Sequence, residues 1–205
     1  IPVTLRMSRS AFFERIKNLL LFPGYEWKVI SLEKRALSDV FGSYIWRLVL
    51  AGGISQFVGS FFYVRNVLDI DAYRFSFPLV QAMIYVAVQF LVIIAGSLFI
   101  RGIAFRFHSE KSLFKAVKLF AFSYTPVLIV FILANLHQVL FIALVPGVYT
   151  VYLFRIGCQH MLSTPKIRRL SFSMIYMIVT LGLLFIFTRL FGYLSTIIFT
   201  GFNGV

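Results

Sequence analysis

The sequence has few cysteines and few acidic residues, and both shortages exclude classes of site. Cys158 is the single cysteine, so no internal disulfide can form, and His108, His137 and His160 lie in different segments without metal-site spacing. Asp and Glu number only 7, against 20 Lys and Arg. No nucleophile-base pair and no phosphate-binding glycine loop is recognisable. We therefore expect neither an enzyme nor a bound metal or cofactor.

Apolar residues are abundant instead, at 60% of the chain, with 25 Phe and 10 Tyr. An ordinary globular domain has about 45–50% apolar and about 25% charged residues, whereas only 13% are charged here. A water-soluble domain of 205 residues could not cover so much apolar surface. The composition therefore predicts an all-α integral membrane protein.

Long uncharged runs locate the membrane-crossing helices, since a span needs roughly 20 apolar residues. The stretch 119–154 is long enough for two spans, and the polar Asn135, His137 and Gln138 at its middle predict a turn. An alternative is a pair of half-helices broken at Pro126 and at Pro146-Gly147. The sequence thus predicts a five-helix transmembrane domain over residues 40–205, with spans at about 40–64, 78–105, 117–135, 138–161 and 171–199.

The basic residues predict the orientation of the bundle and its lipid partners. Lys and Arg concentrate in the segment up to Asp39 and in the second and fourth loops, while the first loop has two and the third has none. We expect a cytoplasmic amino terminus, a carboxyl terminus outside, and a bacterial cytoplasmic (inner) membrane location. Anionic lipid, rather than nucleic acid, is the expected partner of the positive charge. Four arginines near predicted helix ends are expected to snorkel to the headgroups: Arg47, Arg101, Arg155 and Arg189.

Residues 1–39 form a separate cytoplasmic segment ahead of the first span. Residues 11–22 place five apolar side chains on one helical face, which predicts an interfacial amphipathic helix in the headgroup layer. The alternative is an ordinary surface helix packed on the bundle. A second helix, from Tyr25 to about Leu37, has Trp27 and Ile30 on a face that could insert into lipid. Its Glu26 and Glu33 are expected to pair with cytoplasmic arginines.

Two further expectations concern contacts with lipid and between helices. Basic side chains of the amino-terminal segment and of the fourth loop are candidates for headgroup contact: Arg15, Lys17, Lys166, Arg168 and Arg169. Gly52, Ser55 and Gly59 form a stripe of small residues, which lets another helix approach closely.

Three short motifs resemble a known family. Tyr152-Leu153, Gly157, Met161 and Thr164-Pro165-Lys166 resemble the Y-L-x-x-x-G-x-x-x-M-x-x-T-P-K stretch at the end of the fourth span in the Yip (Ypt-interacting protein) family. Pro23, Trp27, Ile30 and Glu33 are similar to the opening P-x-x-x-W-x-x-I-x-x-E of its bacterial branch, and Tyr124-Thr125-Pro126 resembles its Tyr/Pro pattern in the third span. Gln159-His160 departs from the family, whose bacterial members usually have apolar residues or proline there.

The resemblance implies a five-span fold, with less information about function. Eukaryotic relatives organise membranes and associate with small GTPases and with one another, but they usually carry a longer hydrophilic amino-terminal region, so their partners are not transferred to this chain. We expect a non-catalytic protein that organises lipids, other membrane proteins or further copies of itself. The alternative is a small transporter or channel whose path uses Asn135, His137, Gln138 and Arg189.

Overall fold

The chain is organised as a bundle of α-helices. A computed structural model describes residues 9–33, 36–64, 75–136 and 144–201. Within those ranges every regular element is helical. The helices are α1 Arg9–Leu21, α2 Pro23–Leu32, α3 Leu37–Val40, α4 Trp46–Tyr63, α5 Ser76–Ile103, α6 Leu113–Ser123, α7 Thr125–Leu136, α8 Leu144–Leu162 and α9 Arg169–Gly201.

Four helical stretches are long and apolar enough to cross a membrane: Leu37–Tyr63, Ser76–Phe107, Leu113–Ala134 and Lys166–Ser195. They correspond to the predicted spans 40–64, 78–105, 117–135 and 171–199. The first joins α3 to α4 through a π-helical turn, Phe41–Ile45. The predicted span 138–161 corresponds to α8, which is not among the four. Residues 138–143 lie outside the described residues, and α8 carries Arg155, Gln159 and His160 within its 19 residues.

The third crossing is one kinked helix made of α6 and α7. Pro126 has no N–H to continue the backbone ladder, which bends such a helix. The Tyr124 N–H still donates to the Phe120 carbonyl at 2.9 Å, and the Leu128 N–H donates to the Tyr124 carbonyl at 3.2 Å. The helix therefore continues through the kink, and α8 is helical across Gly147. The described backbone is thus helical at both positions, while residues 137–143 lie outside the described residues, and whether the two helices cross or re-enter stays a prediction.

Glycines allow the spans to pack closely. The α4 helix contacts α5 and α7, and α5 also contacts α6 and α9. A methyl group built on Gly52 would collide with the Tyr85 side chain on α5, and one on Gly96 would collide with the Phe120 ring on α6. The Ser55 hydroxyl donates to a carbonyl of α7. The predicted packing role is confirmed for Gly52 and Ser55.

The two amino-terminal helices are part of the bundle. Phe12 and Leu19 of α1 are buried, whereas Phe13 on the same helix is 67% exposed. The α2 helix lies against α8, and its Trp27 and Ile30 are fully buried. The prediction that these two side chains insert into lipid is wrong, because the bundle itself covers them.

Two loops that connect helices lie together at one end of the bundle. A loop of residues 108–112 follows the end of the second span, and residues 163–165 separate α8 from the last span. The Glu110 N–H donates to the Leu162 carbonyl at 2.9 Å, so these two loops touch. We call this end, with α1 and α2 packed on it, the amino-terminal face.

Candidate functional site

Four charged residues form a cluster where α1 and α2 meet the bundle. The Arg15 guanidinium makes a two-pronged contact with the Glu33 carboxylate, in which Nη1 donates to Oε2 at 2.9 Å and Nη2 pairs with Oε1. Arg15 Nε lies 3.4 Å from Glu26 Oε1. Lys118 of α6 donates from Nζ to the Glu33 backbone carbonyl at 2.9 Å. We call Arg15, Glu26, Glu33 and Lys118 the ion cluster.

The ion cluster is largely removed from water. Arg15 is 8% exposed, Glu26 3% and Lys118 2%. Burial raises the pKa of Glu26 above its ordinary value, while the neighbouring Arg15 charge opposes this rise. The prediction that Glu26 and Glu33 pair with an arginine is confirmed, and that arginine is Arg15 of the amino-terminal segment. For Arg15 itself the structure corrects the prediction of a lipid-headgroup contact, because these two carboxylates enclose its guanidinium.

Aromatic rings surround the cluster and exclude solvent from it. The Arg15 guanidinium lies 5.8 Å from the centre of the Phe122 ring, which itself packs against Tyr44 at 4.7 Å between centroids. The Phe12 ring of α1 also contacts Tyr44, at 5.6 Å between centroids. Asp39 and Ser43 help to line a gap of ≈ 10 Å³ beside the cluster, about the space that one water molecule needs.

The amino-terminal motif, which contains Trp27, and the fourth-span motif, which contains Gly157, meet beside this cluster. A methyl group built on Gly157 would lie 2.5 Å from Leu119 Cδ1 and 2.7 Å from the Trp27 ring. Only a residue without a side chain lets the indole lie this close to α8. Trp27 also contacts Phe122 edge-on at 6.3 Å. The tryptophan of the first motif therefore docks on the glycine of the last.

The middle motif supplies hydrogen bonds between spans at the kink. The Tyr124 hydroxyl donates to Gln89 Oε1 on α5 at 2.7 Å, and the Thr125 hydroxyl is 3.0 Å from the Tyr44 hydroxyl on the first span. All four side chains are buried. Tyr124-Thr125-Pro126 thus bends the third span and bonds it to the first two.

The Thr164-Pro165 segment ties the two loops of the amino-terminal face together. The Thr164 hydroxyl is 2.8 Å from the Ser109 hydroxyl, and Thr164 is almost fully buried. Ser163 adopts a left-handed φ of 53° where α8 ends. The remaining motif residues are divided between core and surface: Pro23 and Met161 are buried, whereas Tyr152 and Pro165 are exposed.

The other basic residues predicted to contact lipid are exposed or half-buried. Lys17, Lys166 and Arg168 are exposed, and their contact with headgroups stays a prediction. Arg168 also donates to the Arg106 carbonyl at 2.7 Å. Arg169 is half-buried, where it donates to the Thr164 carbonyl and to Gln159.

Of the four residues of the alternative solute path, the structure describes a side chain only for Arg189, so the path stays a prediction. Arg189 is exposed on α9, with its guanidinium 5.4 Å from the Phe185 ring of the same helix. Asn135 lies in the last turn of α7. His137 and Gln138 lie outside the described residues.

Lys118 is the member of the cluster whose role the sequence does not predict. It lies at the start of the predicted span 117–135, and in the structure it belongs to α6 and is buried. The sequence feature that could have indicated its burial is its position inside an apolar run, residues 116–122, where a lone cation needs a polar partner.

The fold defines the class of protein and a sequence profile defines its family. The part of the chain that the structure describes is helical, and four of its helices are apolar enough to cross a bilayer, which defines an integral membrane protein of the multi-pass class. The Yip1 domain profile matches residues 17–188, and the chain therefore belongs to the Yip1 family. This confirms the predicted family membership. No curated protein and no solved structure matches the chain.

Proposed function

We propose that this protein is a non-catalytic membrane organiser, with five spans, whose amino-terminal face holds lipid headgroups and neighbouring membrane proteins in a fixed arrangement. The observation that carries the proposal is the ion cluster. Arg15, Glu33 and Lys118 come from α1, from the residue following α2, and from α6, so their contacts fix the amino-terminal helices to the third span. A rigid face that rests on membrane-spanning helices suits a scaffold.

The fifth span in this proposal is α8. Its 19 residues give a length of about 28 Å at about 1.5 Å per residue, close to the roughly 30 Å of a bilayer core. Its carboxyl end lies on the amino-terminal face, as does the start of α6, because Leu162 bonds to the loop that precedes α6. We infer that α8 crosses in the direction opposite to α6 and α7.

Surface charge supports a cytoplasmic location for the amino-terminal face. Lys17, Lys28, Arg106, Lys111 and Lys166 are all exposed there. Positive charge of this kind stays on the cytoplasmic side during insertion and attracts anionic lipid. With five crossings the carboxyl end is outside, in what we propose is a bacterial cytoplasmic membrane.

Sidedness is tested with single cysteines and a membrane-impermeant maleimide. The buried Cys158 is kept as it is, and Lys166→Cys or Asp69→Cys is added. In right-side-out vesicles, Asp69→Cys should react, whereas Lys166→Cys should react only after the membrane is opened. Reaction of both positions from one side would contradict the proposed topology.

A flux assay on liposomes containing the purified chain separates an organiser from a transporter. We expect ion and small-solute leakage equal to that of empty liposomes. Selective, saturable flux that Arg189→Gln abolishes would contradict the organising function. Arg101→Gln is the matched control, because it removes an exposed arginine in the last turn of α5, outside the proposed path.

A further inference from the structure

Three basic side chains lie together at the seam of α2, α8 and α9. Lys28 is exposed on α2, His160 is half-buried in the last turn of α8, and Arg169 is the half-buried first residue of α9. Arg169 bonds to Gln159, the residue before His160, and Trp27, the residue before Lys28, packs on Gly157 one turn before His160, so the fold brings the three basic residues to this seam. Glu26 and Glu33, the acidic residues of the α2 region, contact Arg15 instead.

The fold holds these three groups in place. Trp27 docks on Gly157, so the next residue of α2, Lys28, lies beside the turn of α8 that contains His160. The Arg169 guanidinium is fixed by two hydrogen bonds, from Nε to the Thr164 carbonyl at 2.9 Å and from Nη1 to Gln159 Oε1 at 2.7 Å. These bonds leave further guanidinium N–H donors for a ligand.

The surroundings of the basic trio are apolar and exposed. Tyr25 and Leu32, one turn before and after Lys28 on α2, are 66% and 81% exposed. Tyr152, about two turns before His160 on α8, is also exposed. Basic groups beside exposed aromatic and aliphatic side chains match a lipid, whose phosphate and acyl chains need both surfaces, better than a soluble anion.

We propose that Lys28, His160 and Arg169 bind the phosphate of one anionic phospholipid, whose acyl chains lie along α2 and α8. Arg155, exposed and four residues before Gln159 on the same face of α8, adds positive charge to the site. The site deepens the proposed function, and rests on it, because it specifies which lipid the amino-terminal face holds.

The test measures lipid binding to the purified full-length chain in nonionic detergent by native mass spectrometry. Phosphatidylglycerol and phosphatidylcholine of equal chain length are compared, with and without inorganic phosphate. The variants Lys28→Gln and His160→Gln remove two members of the trio. Lys111→Gln is the control, since it removes another exposed charge, from the 108–112 loop. Thermal unfolding without lipid verifies that all variants fold.

We expect the first phosphatidylglycerol to bind more tightly than phosphatidylcholine, and Lys28→Gln to weaken it about fivefold. His160→Gln should weaken it about two- to fivefold, and Lys111→Gln less than about twofold. Equal losses for Lys28→Gln and Lys111→Gln would overturn the site, as would equal binding of the two lipids. Complete displacement by millimolar phosphate would reassign it to a soluble anion.

Failure of this proposal is distinguishable from failure of the proposed function. Loss of lipid selectivity with no flux in liposomes would remove the lipid site and leave the organiser. Selective flux with intact lipid binding would remove the organiser and leave the lipid site.

Discussion

Replacing Arg15 by methionine should destabilise the protein more than any other single loss of charge on the amino-terminal helices. The change leaves the Glu26 carboxylate buried without its nearest cation and removes both contacts to Glu33. Breaking a buried pair costs about 3–5 kcal/mol. Because the Glu33 side chain is 21% exposed, water relieves part of this cost, and we expect about 3 kcal/mol at pH 8.

The effect of Arg15→Met should depend on pH, with a sign that follows from Glu26. Burial raises the pKa of Glu26 above 4.5 in the folded protein, and Arg15 limits the rise. An acid with a raised folded-state pKa takes up a proton on folding, so its contribution to stability is greatest at low pH. That contribution is lost as the pH rises from the unfolded to the folded pKa. Removing Arg15 raises the folded pKa further, and the deficit should therefore be smaller at pH 5 than at pH 8.

Thermal unfolding in detergent, at a fixed scan rate and at pH 5 and pH 8, measures this deficit. About 3 kcal/mol corresponds to roughly 6–12 °C for a chain of this size. Lys17→Met, an exposed position on the same helix, should change stability by less than about 0.5 kcal/mol. Adding Glu26→Gln and Glu33→Gln to Arg15→Met should restore much of the loss. If Arg15→Met lowers the free energy of unfolding by less than about 1 kcal/mol relative to wild type at both pH values, the buried cluster is refuted.

Three further substitutions test the packing of the family motifs by the same unfolding measurement. Gly157→Ala should cost about 1–3 kcal/mol through overpacking. The control Gly182→Ala should be neutral or slightly stabilising, because a methyl group there would have no neighbour within 4 Å. Equal effects of the two substitutions would contradict the close approach of α2 to α8. Tyr124→Phe should cost about 1–3 kcal/mol because it leaves a buried glutamine on α5 without its hydrogen bond, while the exposed Tyr193→Phe should cost nothing measurable. Thr164→Val should cost about 1 kcal/mol because it breaks the hydrogen bond between the Thr164 and Ser109 hydroxyls. An unchanged unfolding midpoint temperature would contradict that hydrogen bond.

Hydropathy predicts the four long apolar helices because the bilayer imposes both their length and their lack of charge. The kink at Pro126 is equally predictable, since proline removes a ladder hydrogen bond. Whether that kink breaks the helix or bends it depends on the bonds of Tyr124 and Leu128, which the sequence does not reveal.

Periodicity shows which face of a helix is apolar but not what covers that face. Trp27 and Ile30 lie on an apolar face of α2 that either lipid or protein could bury, and here the bundle buries it. The same ambiguity applies to α1, whose Phe12 turns inward while Phe13 is exposed. A periodic pattern is equally compatible with an interfacial helix and a packed one.

The ion cluster was only partly predictable, because its members come together through tertiary structure. The spacing of Glu26 and Glu33 indicates pairing with arginine, yet choosing Arg15 requires the angle between α1 and α2. Lys118 is separated from Glu33 by 85 positions in the chain. Local sequence cannot distinguish such a buried lysine from the basic residues of a membrane-flanking loop.

Hydrogen exchange of the α2 backbone in lipid nanodiscs most directly tests whether the amino-terminal helices are a fixed part of the membrane domain. The ion cluster and the docking of Trp27 on Gly157 predict that α2 amides exchange about as slowly as those of α6, and that Arg15→Met makes α2 exchange faster while α6 stays protected. Rapid exchange throughout α2 in the unmodified protein, beside a protected α6, would contradict this fixed arrangement.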